Sequence, residues 1–507
     1  MIIAGLAHQV EQLIRNEQVV GSSPIAGTII ISSLQYEGFY FSQYNIIEVM
    51  KLRFYFALLI AKLSIPALKI TKHNGTDFPG FIALKVCPDF IKYVDKPSQI
   101  ITVTGTDGKT TVTNLCYDIV SQTGKKILTN NFGSNINSGI ATTLLKGVNL
   151  FNKCSYDMAI IEVDERSSMR IYPYLHPNYT IVTNLFRDSI MRNAHPEYIR
   201  SFISDALPPE TKLILNGDDL ISCEMAPNNE RVYFGISKCN NKNTECINLI
   251  NDKQICPICH NKLIYDYRHY HHIGKAHCSK CDFKSPTLNY EITDINSNTI
   301  TVKEGKNEFK YNLISDKLFD IYNMIAAISL ARELNIDHNT IQNYMANAGI
   351  TKTRYNETDV NGCKIIMQMA KDMNALACSR VFDYLGSLEG DIEVFLMMSN
   401  RLDEVEWSEN TCWMYDCDFE FLNSKNIKHI VAAGARCKDF RLRLNLAGYP
   451  DDNIDCVFDE KEAIKSLHLK KGSKVYMLYG ASGGDIDYAF NMRDLIVATA
   501  KEVTKWR

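Results

Sequence analysis

The stretch Ile100–Thr111 reads IITVTGTDGKTT and gives the clearest indication of the fold. Its first five residues are β-branched and predict a buried parallel strand. Two glycines follow, and Val112–Val120 then has the apolar spacing of a helix. A strand, a glycine loop and a helix in this order are typical of a phosphate-binding loop, in which backbone N–H groups and the helix N-terminus face the phosphates. The loop residues assigned to nucleotide binding by this pattern are Gly105, Thr106, Asp107, Gly108, Lys109, Thr110 and Thr111.

Two side chains of this loop carry specific expectations. Lys109 is expected to bridge the β- and γ-phosphates, and the hydroxyl of Thr110 is expected to ligate Mg²⁺. The strict pattern for such loops has a glycine where this chain has Val103, so a glycine turn without a ligand is the alternative. The surrounding strand and helix favour nucleotide binding.

A second predicted strand, Met158–Glu165, ends in acidic residues. Carboxylates at the C-terminal edge of a strand beside a phosphate loop are suited to hold Mg²⁺. Glu162 is the first candidate ligand, ahead of Asp164 and Glu165. The alternative is that these acids are simply solvated at the end of the strand.

Four cysteines in two C-x-x-C pairs predict a structural zinc site. Eighteen residues separate the pairs, a spacing typical of zinc modules, although chance clustering is the alternative. Four thiolates complete a tetrahedral shell, and a closed shell indicates a structural ion. The predicted ligands are Cys256, Cys259, Cys278 and Cys281. The segment Tyr265–Tyr270 between them predicts a β-hairpin. The nearby histidines are alternative ligands, but we interpret them as surface polar residues: His260, His269, His271, His272 and His277.

Composition restricts the class of protein. The chain has 507 residues, 46% of them hydrophobic, and a formal net charge of −3. This length predicts two or three domains, and the charge balance gives no reason to expect a nucleic acid or an anionic membrane as partner. Most of the 16 cysteines lie singly in apolar runs, as buried thiols do in a cytosolic protein. The apolar segment Phe54–Leu63 is too short to span a membrane, so it predicts a buried helix, with loose membrane contact as the alternative.

Residues 1–49 differ in character from the rest of the chain. The segment Gly21–Gly27 and the residues before it resemble a transfer-RNA gene translated into protein. We hypothesise that translation starts at Met50, with a disordered leader as the alternative. Peptides from before Met50 in the proteome of the native organism would contradict this hypothesis.

The motifs together resemble the Mur ligase family, and within it the MurT-like subunits of lipid II isoglutaminyl synthases. The resemblance runs from about Met50 to the C-terminus, and the zinc ribbon inserted in the ligase core is the feature specific to this branch. The segments that carry the resemblance are Gly105–Thr111, Ile161–Glu165, Thr183–Asp188, Leu215–Asp219, Tyr265–Tyr270, Phe319–Ala327 and Trp413–Glu420.

The resemblance implies both a fold and an activity. The fold would be α/β, with a Mur ligase-type doubly wound P-loop ATPase domain, the inserted four-cysteine zinc ribbon and a C-terminal α/β domain. The activity would be that of an ATP-dependent carbon–nitrogen ligase, which activates the D-glutamate α-carboxyl of the lipid II stem peptide as an acyl phosphate. A GatD-like glutaminase would form a heterodimer with the chain and supply ammonia. Lys109 and Glu162 would be catalytic, and Asn323 and Arg354 would bind ATP, with a structural linker role as the alternative for Arg354.

The chain also departs from the family pattern. The aspartate that MurT lends to the glutaminase's Cys-His pair aligns with Asn410, and Glu409 and Asp403 are the other candidates for its role. An asparagine orients a histidine but does not stabilise an imidazolium by charge. The family's K-N-P-A-G-x-N loop is altered at 369–374, and the segment 186–192 loses a glutamine and an aspartate. These departures leave the acceptor and the coupling to a glutaminase open.

The same residues fit two other functions. A diverged Mur-type ligase would amidate a different carboxylate, whereas a scaffold would keep ATP as a structural ligand within an amidotransferase complex. In each case the chain is expected in the cytoplasm without a transmembrane segment or a nucleic-acid partner. The inner face of the membrane is the alternative location, reached through a lipid-linked substrate.

The alternation of strands and helices predicts the domain organisation. Residues 1–49 are a spurious or disordered leader, 50–96 an N-terminal helical segment, 97–350 a Mur ligase-like ATP-binding domain with the zinc ribbon at 251–288, and 351–507 a C-terminal MurT-type α/β domain. The strand candidates of the last domain are Ile392–Met398, His429–Ala433 and Lys474–Tyr479.

Overall fold

The computed structural model describes most of the chain. The described residues are 43–70, 76–130, 134–187, 195–237, 244–315, 317–348, 355–398, 411–480 and 485–504. Contacts within the chain divide it into two units, with the boundary between Tyr55 and Phe56. Arg354, Asp403, Glu409 and Asn410 lie outside the described residues, as do residues 1–42, so the expectations for these positions stay predictions.

The strands fall into two sheets and a hairpin. In chain order they are β1 (Gln99–Thr104), β2 (Ile127–Thr129), β3 (Met158–Glu162), β4 (Tyr179–Val182), β5 (Lys212–Asn216), β6 (Arg231–Ile236), β7 (Leu263–Tyr270), β8 (Ile273–Cys278), β9 (Tyr290–Ile295), β10 (Thr299–Glu304), β11 (Asn307–Asn312), β12 (Tyr355–Val360), β13 (Cys363–Met369), β14 (Ile392–Met397), β15 (Ile427–Ala433), β16 (Ile454–Val457) and β17 (Lys474–Tyr479).

Helices occupy most of the connections between the strands. In chain order they are α1 (Gln43–Ile70), α2 (Phe78–Val86), α3 (Phe90–Tyr93), α4 (Lys109–Ser121), α5 (Asn137–Gly147), α6 (Ser168–Leu175), α7 (Pro196–Ala206), α8 (Leu220–Cys223), α9 (Leu318–Glu333), α10 (His338–Asn347), α11 (Ala375–Ser387), α12 (Trp413–Asp416), α13 (Cys437–Leu446), α14 (Glu460–Ala463) and α15 (Asp485–Thr504). Short 3₁₀ turns lie at Glu165–Ser167, Phe419–Leu422, Asp451–Asn453 and Ile464–Ser466.

The larger sheet has the strand order β11-β10-β9-β6-β5-β4-β1-β3-β2. Strand β1 pairs in parallel with β3 on one side and β4 on the other, so the direction of winding reverses beside it. In doubly wound sheets, ligands bind beyond the C-terminal ends of the strands at such a reversal. This topology places the loop that follows β1 at the position where a nucleotide binds in this class of fold.

The predicted parallel core is confirmed, but one edge of this sheet was not predicted. Strands β9, β10 and β11 pair antiparallel with one another and extend the parallel sheet through β6. They lie directly after the segment 251–288, which carries the four cysteines and is called the four-cysteine module below. Short strands of mixed polarity such as Asn307–Asn312 carry a weak sequence signal, because one of their faces stays in water.

The smaller sheet has the order β12-β13-β17-β14-β15-β16. All of its neighbouring strands are parallel except the hairpin of β12 and β13. The three strand candidates of this region correspond to β14, β15 and β17, as predicted. Helix α11 follows β13 and packs on this sheet through Phe382 and Leu385, which are fully buried.

Helix α1 contains the apolar segment in which a buried helix was expected. Ala57, Leu58 and Ala61 are buried, whereas Phe56 and Leu63 of the same helix are exposed. Only one of its faces is therefore covered. Among the described residues, no helix is both long and apolar enough to cross a bilayer.

Candidate active site and metal centre

The phosphate loop leaves the C-terminal end of β1 and enters α4. Gly105 and Gly108 have φ angles of +126° and +83°, in the left-handed region that favours glycine. A Cβ atom at Gly105 would lie 2.3 Å from the Oγ1 of Thr183, so the loop also has no room for a side chain there. No described side chain caps the N-terminus of α4, which begins at Lys109. An uncapped helix N-terminus behind a glycine loop is a donor set that fits nucleotide phosphates.

Residues after β4 fix the conformation of this loop. The backbone carbonyl of Asn184 accepts from the N–H of Thr106 at 2.9 Å, and its side chain accepts from the N–H of Asp107 at 3.0 Å. The hydroxyl of Thr183 donates to the carbonyl of Asp107 at 2.6 Å. In the sequence, Thr183 and Asn184 are connected with the family only by resemblance, whereas in the structure they hold the loop in place.

Lys109 lies at the first position of α4, inside the loop. Its ammonium group donates to the carboxylate of Glu165 at 2.8 Å and to the backbone carbonyl of Gly105. The side chain of Lys109 is 12% exposed and that of Glu165 is 3% exposed. Burial raises the pKa of Glu165, and the charge of Lys109 opposes this shift. The two side chains thus form a nearly buried ion pair at the end of β1, with the lysine held beside the loop.

Thr110 and Glu162, the two predicted magnesium ligands, lie in direct contact. The hydroxyl of Thr110 donates to Oε2 of Glu162 at 2.7 Å, and the amide of Asn135 donates to Oε1 at 2.8 Å. A threonine hydroxyl and a carboxylate are ligands that suit Mg²⁺. Asp164 has a different environment, because its carboxylate accepts from the N–H groups of Arg166 and Ser167 and caps the following 3₁₀ turn. The donor set therefore fits a magnesium ion at Thr110 and Glu162.

Asn323 of α9 lies against the same loop. Its side chain is buried, and a Cβ atom at Gly108 would lie 2.1 Å from its Oδ1. The two remaining predicted residues, Arg354 and Asn410, lie outside the described part of the chain. The structure therefore brings together Lys109, Thr110, Glu162 and Asn323.

Two residues of the smaller sheet's domain also reach the phosphate loop, and neither was predicted. The Nδ2 of Asn374 lies 3.5 Å from Oδ1 of Asp107, and Nη1 of Arg380 lies 3.6 Å from Oδ2 of the same residue. Asn374 caps the N-terminus of α11 by accepting from the N–H of Ala377 at 2.9 Å. More than 260 residues separate Asp107 from Asn374, so no local pattern connects them.

Arg380 is the most unusual charged residue of the site. Its guanidinium lies 4.4 Å from the ring centre of Tyr270 and 5.7 Å from the rings of Phe186 and Phe319. Its Nε and Nη2 atoms are buried without a hydrogen-bond partner among the described residues. Buried N–H groups of a charged side chain are costly unless they bind an acceptor. Arg380 also lines a cavity of about 130 Å³ together with Arg268.

The four predicted zinc ligands meet in space. The Sγ atoms of Cys256 and Cys281 are 3.5 Å apart, those of Cys259 and Cys278 are 3.3 Å apart, and all four lie within 4.8 Å of one another. These separations approach the edge of about 3.8 Å expected for four sulfurs at roughly 2.3 Å from a tetrahedral ion. Metal binding to such a cluster requires the thiolate forms of the four cysteines. Strands β7 and β8 form the predicted hairpin between the pairs.

The four-cysteine module is fixed on the ligase core through the turn after β5. The N–H of Gly274 donates to the carbonyl of Asp218 at 2.8 Å, and Nε2 of His272 lies 3.2 Å from Oδ1 of Asp219. The other carboxylate oxygen of Asp219 accepts from the N–H of Leu185 at 2.7 Å. One aspartate therefore links the module to the segment that clamps the phosphate loop.

The interpretation of the histidines as surface residues was wrong for two of them. His271 and His272 are buried, and the ring of His272 lies 4.6 Å from that of Phe186. Burial lowers the pKa of His271 to about 3, so this ring is neutral near pH 7. Both rings fill the contact between the module and the ligase core. Only contacts between distant segments cause this burial, and the sequence carries no signal for it.

Comparison with known protein families agrees with this geometry. Residues 103–331 match the Mur ligase middle domain, and residues 372–482 match the MurT ligase C-terminal domain. The chain is 28% identical over 421 residues to the lipid II isoglutaminyl synthase (glutamine-hydrolyzing) subunit MurT of Streptococcus pneumoniae, covering 80% of this chain and 90% of that protein. It is 30% identical over 394 residues to the subunit of the same name from Staphylococcus aureus, covering 77% of this chain and 87% of the relative.

Solved structures share the fold at lower identity. A pseudomurein peptide ligase type C from Methanothermus fervidus has a TM-score of 0.60 at 20% identity, covering 81% of each chain. MurF from Acinetobacter baumannii has a TM-score of 0.56 at 15% identity, covering 82% of this chain and 80% of that one. The likeness to these two proteins concerns the fold alone. The family matches and the MurT relatives show that the chain belongs to the Mur ligase family, as a MurT-type subunit of lipid II isoglutaminyl synthase.

Proposed function

We propose that the chain uses ATP to amidate the α-carboxyl of D-glutamate in the stem peptide of lipid II. One observation carries this proposal: the loop with Lys109 and the Thr110–Glu162 pair faces Asn374 and Arg380 of the other domain. A site between these two sets of groups has cationic donors on both sides. Such a site suits a reaction in which one anion, a carboxylate, must approach another, a phosphate.

Each residue has a task that follows from its position. The N–H groups at the start of α4 and the ammonium of Lys109 bind phosphate oxygens and stabilise the negative charge that moves during transfer. Thr110 and Glu162 would hold Mg²⁺, and Asn323 supports the loop at Gly108. Bound MgATP would supply the γ-phosphoryl group that converts the carboxylate into an acyl phosphate with release of ADP, and attack of ammonia on the acyl carbon would form the amide with release of phosphate. The four cysteines would hold Zn²⁺ in a structural role.

We further propose that the ammonia comes from a GatD-like glutaminase that pairs with this chain in a heterodimer. The words "glutamine-hydrolyzing" and "subunit" in the names of the MurT relatives support this partner. Asn410, Glu409 and Asp403 stay the candidates for the side chain that completes the glutaminase site, and Arg354 stays a candidate ATP ligand. We propose that the reaction takes place in the cytoplasm, with the inner face of the membrane, where a lipid-linked acceptor would be presented, as the alternative.

Arg380 is expected to bind an oxyanion of the reactants. Replacing it with glutamine should lower kcat/KM about 100-fold, because a hydrogen bond to a charged group contributes about 1.5–3 kcal/mol. Lysine at this position should restore only part of the activity, since it keeps the charge but lacks the planar fork. Steady-state kinetics with varied ATP and varied acceptor measure the effect. R441Q is the matched control, because Arg441 forms an exposed pair with Asp451 and should tolerate the change. Equal kinetics for R380Q and R441Q would contradict the assignment.

An amidation assay tests the proposed function. The protein, alone and with its glutaminase, is incubated with ATP, Mg²⁺, lipid II and either glutamine or ammonium, and mass spectrometry detects the conversion of carboxyl to carboxamide. Product with ammonium alone supports the ligase reaction, and product with glutamine in addition supports the heterodimer. Product with ammonium but not with glutamine would locate a defect at Asn410 and the partner interface. ATP binding without amidation of lipid II would favour another acceptor or a scaffold.

A further inference from the structure

A cluster of potential metal ligands lies on the smaller sheet, away from the phosphate loop. Strands β14 and β15 are parallel neighbours, and Glu393 pairs directly with His429 in their register. Side chains of paired residues on adjacent strands project to the same face of a sheet. The register shifts between Ile392 and Glu393, and irregularities of this kind re-aim a side chain. The fold thus places a carboxylate beside an imidazole.

Two more groups join this pair from neighbouring segments. His468 precedes β17, and its backbone N–H donates to Oε2 of Glu393 at 3.0 Å while its Nδ1 lies 2.8 Å from Oε1. Asp455 of β16 places Oδ2 at 3.3 Å from Nε2 of His429. The rings of His429 and His468 are 4.7 Å apart between centres. One donor atom from each of Glu393, His429 and His468 lies within 4.8 Å of the others.

One nitrogen of this cluster has an unexplained environment. The side chain of His429 is 11% exposed, and its Nε2 is the atom beside Asp455. Its Nδ1 is buried and has no hydrogen-bond partner among the described residues. In metal sites, a ligating imidazole characteristically uses its second nitrogen to contact a carboxylate, which orients the ring and makes the ligating nitrogen more basic. Asp455 and His429 have this relation, with Nδ1 as the atom left for an ion.

We propose that Glu393, His429 and His468 bind one divalent transition-metal ion of the zinc class, with Asp455 orienting His429. Two imidazoles and a carboxylate are a donor set that Zn²⁺ accepts, and Co²⁺ and Ni²⁺ accept the same nitrogen and oxygen ligands. The ion replaces the hydrogen bond between His468 and Glu393. Binding connects β14 and β15 to the segment before β17.

The position of this site separates it from the ligase reaction. Glu393 and His429 lie near the starts of β14 and β15, whereas Asn374, which reaches the phosphate loop, follows the end of β13. In a parallel sheet these are opposite edges. The ion is therefore expected to stabilise the smaller sheet's domain without contacting the reactants. The proposal of this metal site does not depend on the proposed function.

Cobalt binding to the full chain tests the proposal. Protein whose cysteine site is filled with Zn²⁺ is titrated with Co²⁺, and the visible spectrum and the bound metal are measured. We expect one bound Co²⁺ with ligand-field bands but without the thiolate charge-transfer band that the four cysteines would give. The variants H468Q and H429Q should bind Co²⁺ at least tenfold more weakly. His468 is exposed, so H468Q is expected to fold even if H429Q does not.

The matched control is H176Q. His176 forms an exposed pair with Glu210 at 2.8 Å, like that of His468 with Glu393, but it is not part of a ligand cluster found among the described residues. H176Q should bind Co²⁺ like the wild type. Wild-type protein that takes up no Co²⁺, or H468Q that binds it with unchanged affinity, would overturn the proposal and leave these side chains as a hydrogen-bonded cluster.

Discussion

The variant K109A is expected to lose ATP-dependent product formation by at least a factor of about 100 to 1,000. Removal of one preorganised donor to developing charge costs roughly 2.7–4 kcal/mol of transition-state stabilisation. Lys109 is the charged donor on the phosphate loop, held beside it by contacts to Gly105 and Glu165.

The same substitution is also expected to destabilise the fold, by about 3–5 kcal/mol, because it leaves one partner of a buried ion pair alone. Glu165 is 3% exposed, and its pKa is already raised by burial, with Lys109 opposing the shift. Without the lysine this pKa rises further. A carboxyl whose pKa is raised in the folded state destabilises the fold above that pKa, and the penalty disappears as the pH falls through it. The stability difference between K109A and the wild type should therefore shrink in acid.

A double variant separates the two effects. K109A/E165Q lacks both charges, so its stability should return toward that of the wild type while its activity stays lost. Urea unfolding between pH 5 and 8 measures the first property, and amidation kinetics measure the second. K303A is the matched surface control, because Lys303 pairs with Glu291 only at 3.7 Å and is half exposed. Recovery of activity in K109A/E165Q would show that Lys109 acts through stability and not on the reactants.

The parts of the site that were predictable from sequence are the local ones. Strand β1, the loop and α4 are contiguous in the chain, and their apolar periods and glycines indicate the conformation directly. The cysteine pairs were predictable for the same reason, since two C-x-x-C turns each place two thiols together. The prediction of Glu162 required one further step, because it assumed that the strand ending in Glu162 lies beside the strand that precedes the phosphate loop, as β3 and β1 do.

The remaining parts depend on contacts that no sequence period records. Arg380 contacts Asp107 although the two residues belong to the domains of different sheets. Its proposed role in binding an oxyanion is inferred from two buried N–H groups without a partner among the described residues and from the three aromatic rings around it. Asp164 resembles a metal ligand in sequence but caps a 3₁₀ turn in the structure. His271 has a polar side chain, yet it is buried where the four-cysteine module packs on the ligase core. In each case tertiary packing outweighs the preference of the isolated residue.

If the four cysteines hold zinc as proposed, removal of the ion is expected to unfold the module at 251–288. Beyond the cysteines, only a few buried side chains, among them Leu263, Tyr265 and Ala276, form its core. A segment of this size buries too little apolar surface to fold without a metal or disulfides. Binding of zinc to four thiolates supplies on the order of 10 kcal/mol to such modules. The variant C278S should therefore lose the metal and the hairpin of β7 and β8.

This unfolding should reach the active site, because the module carries part of it. Tyr270 stacks on Phe186 and lies beside Arg380, and His272 contacts the aspartate that also holds Leu185. We expect amidation to fall at least 100-fold in C278S even though the phosphate loop has an unchanged sequence. Hydrogen exchange of the module, metal content and activity are measured together. C154S is the matched control, since Cys154 lies outside the cluster and should keep all three. If C278S keeps its amidation activity while its module exchanges hydrogen rapidly, the module is not needed for the reaction. If metal content, protection from exchange and activity are all lost, the metal ion holds the aromatic rings around Arg380 in place.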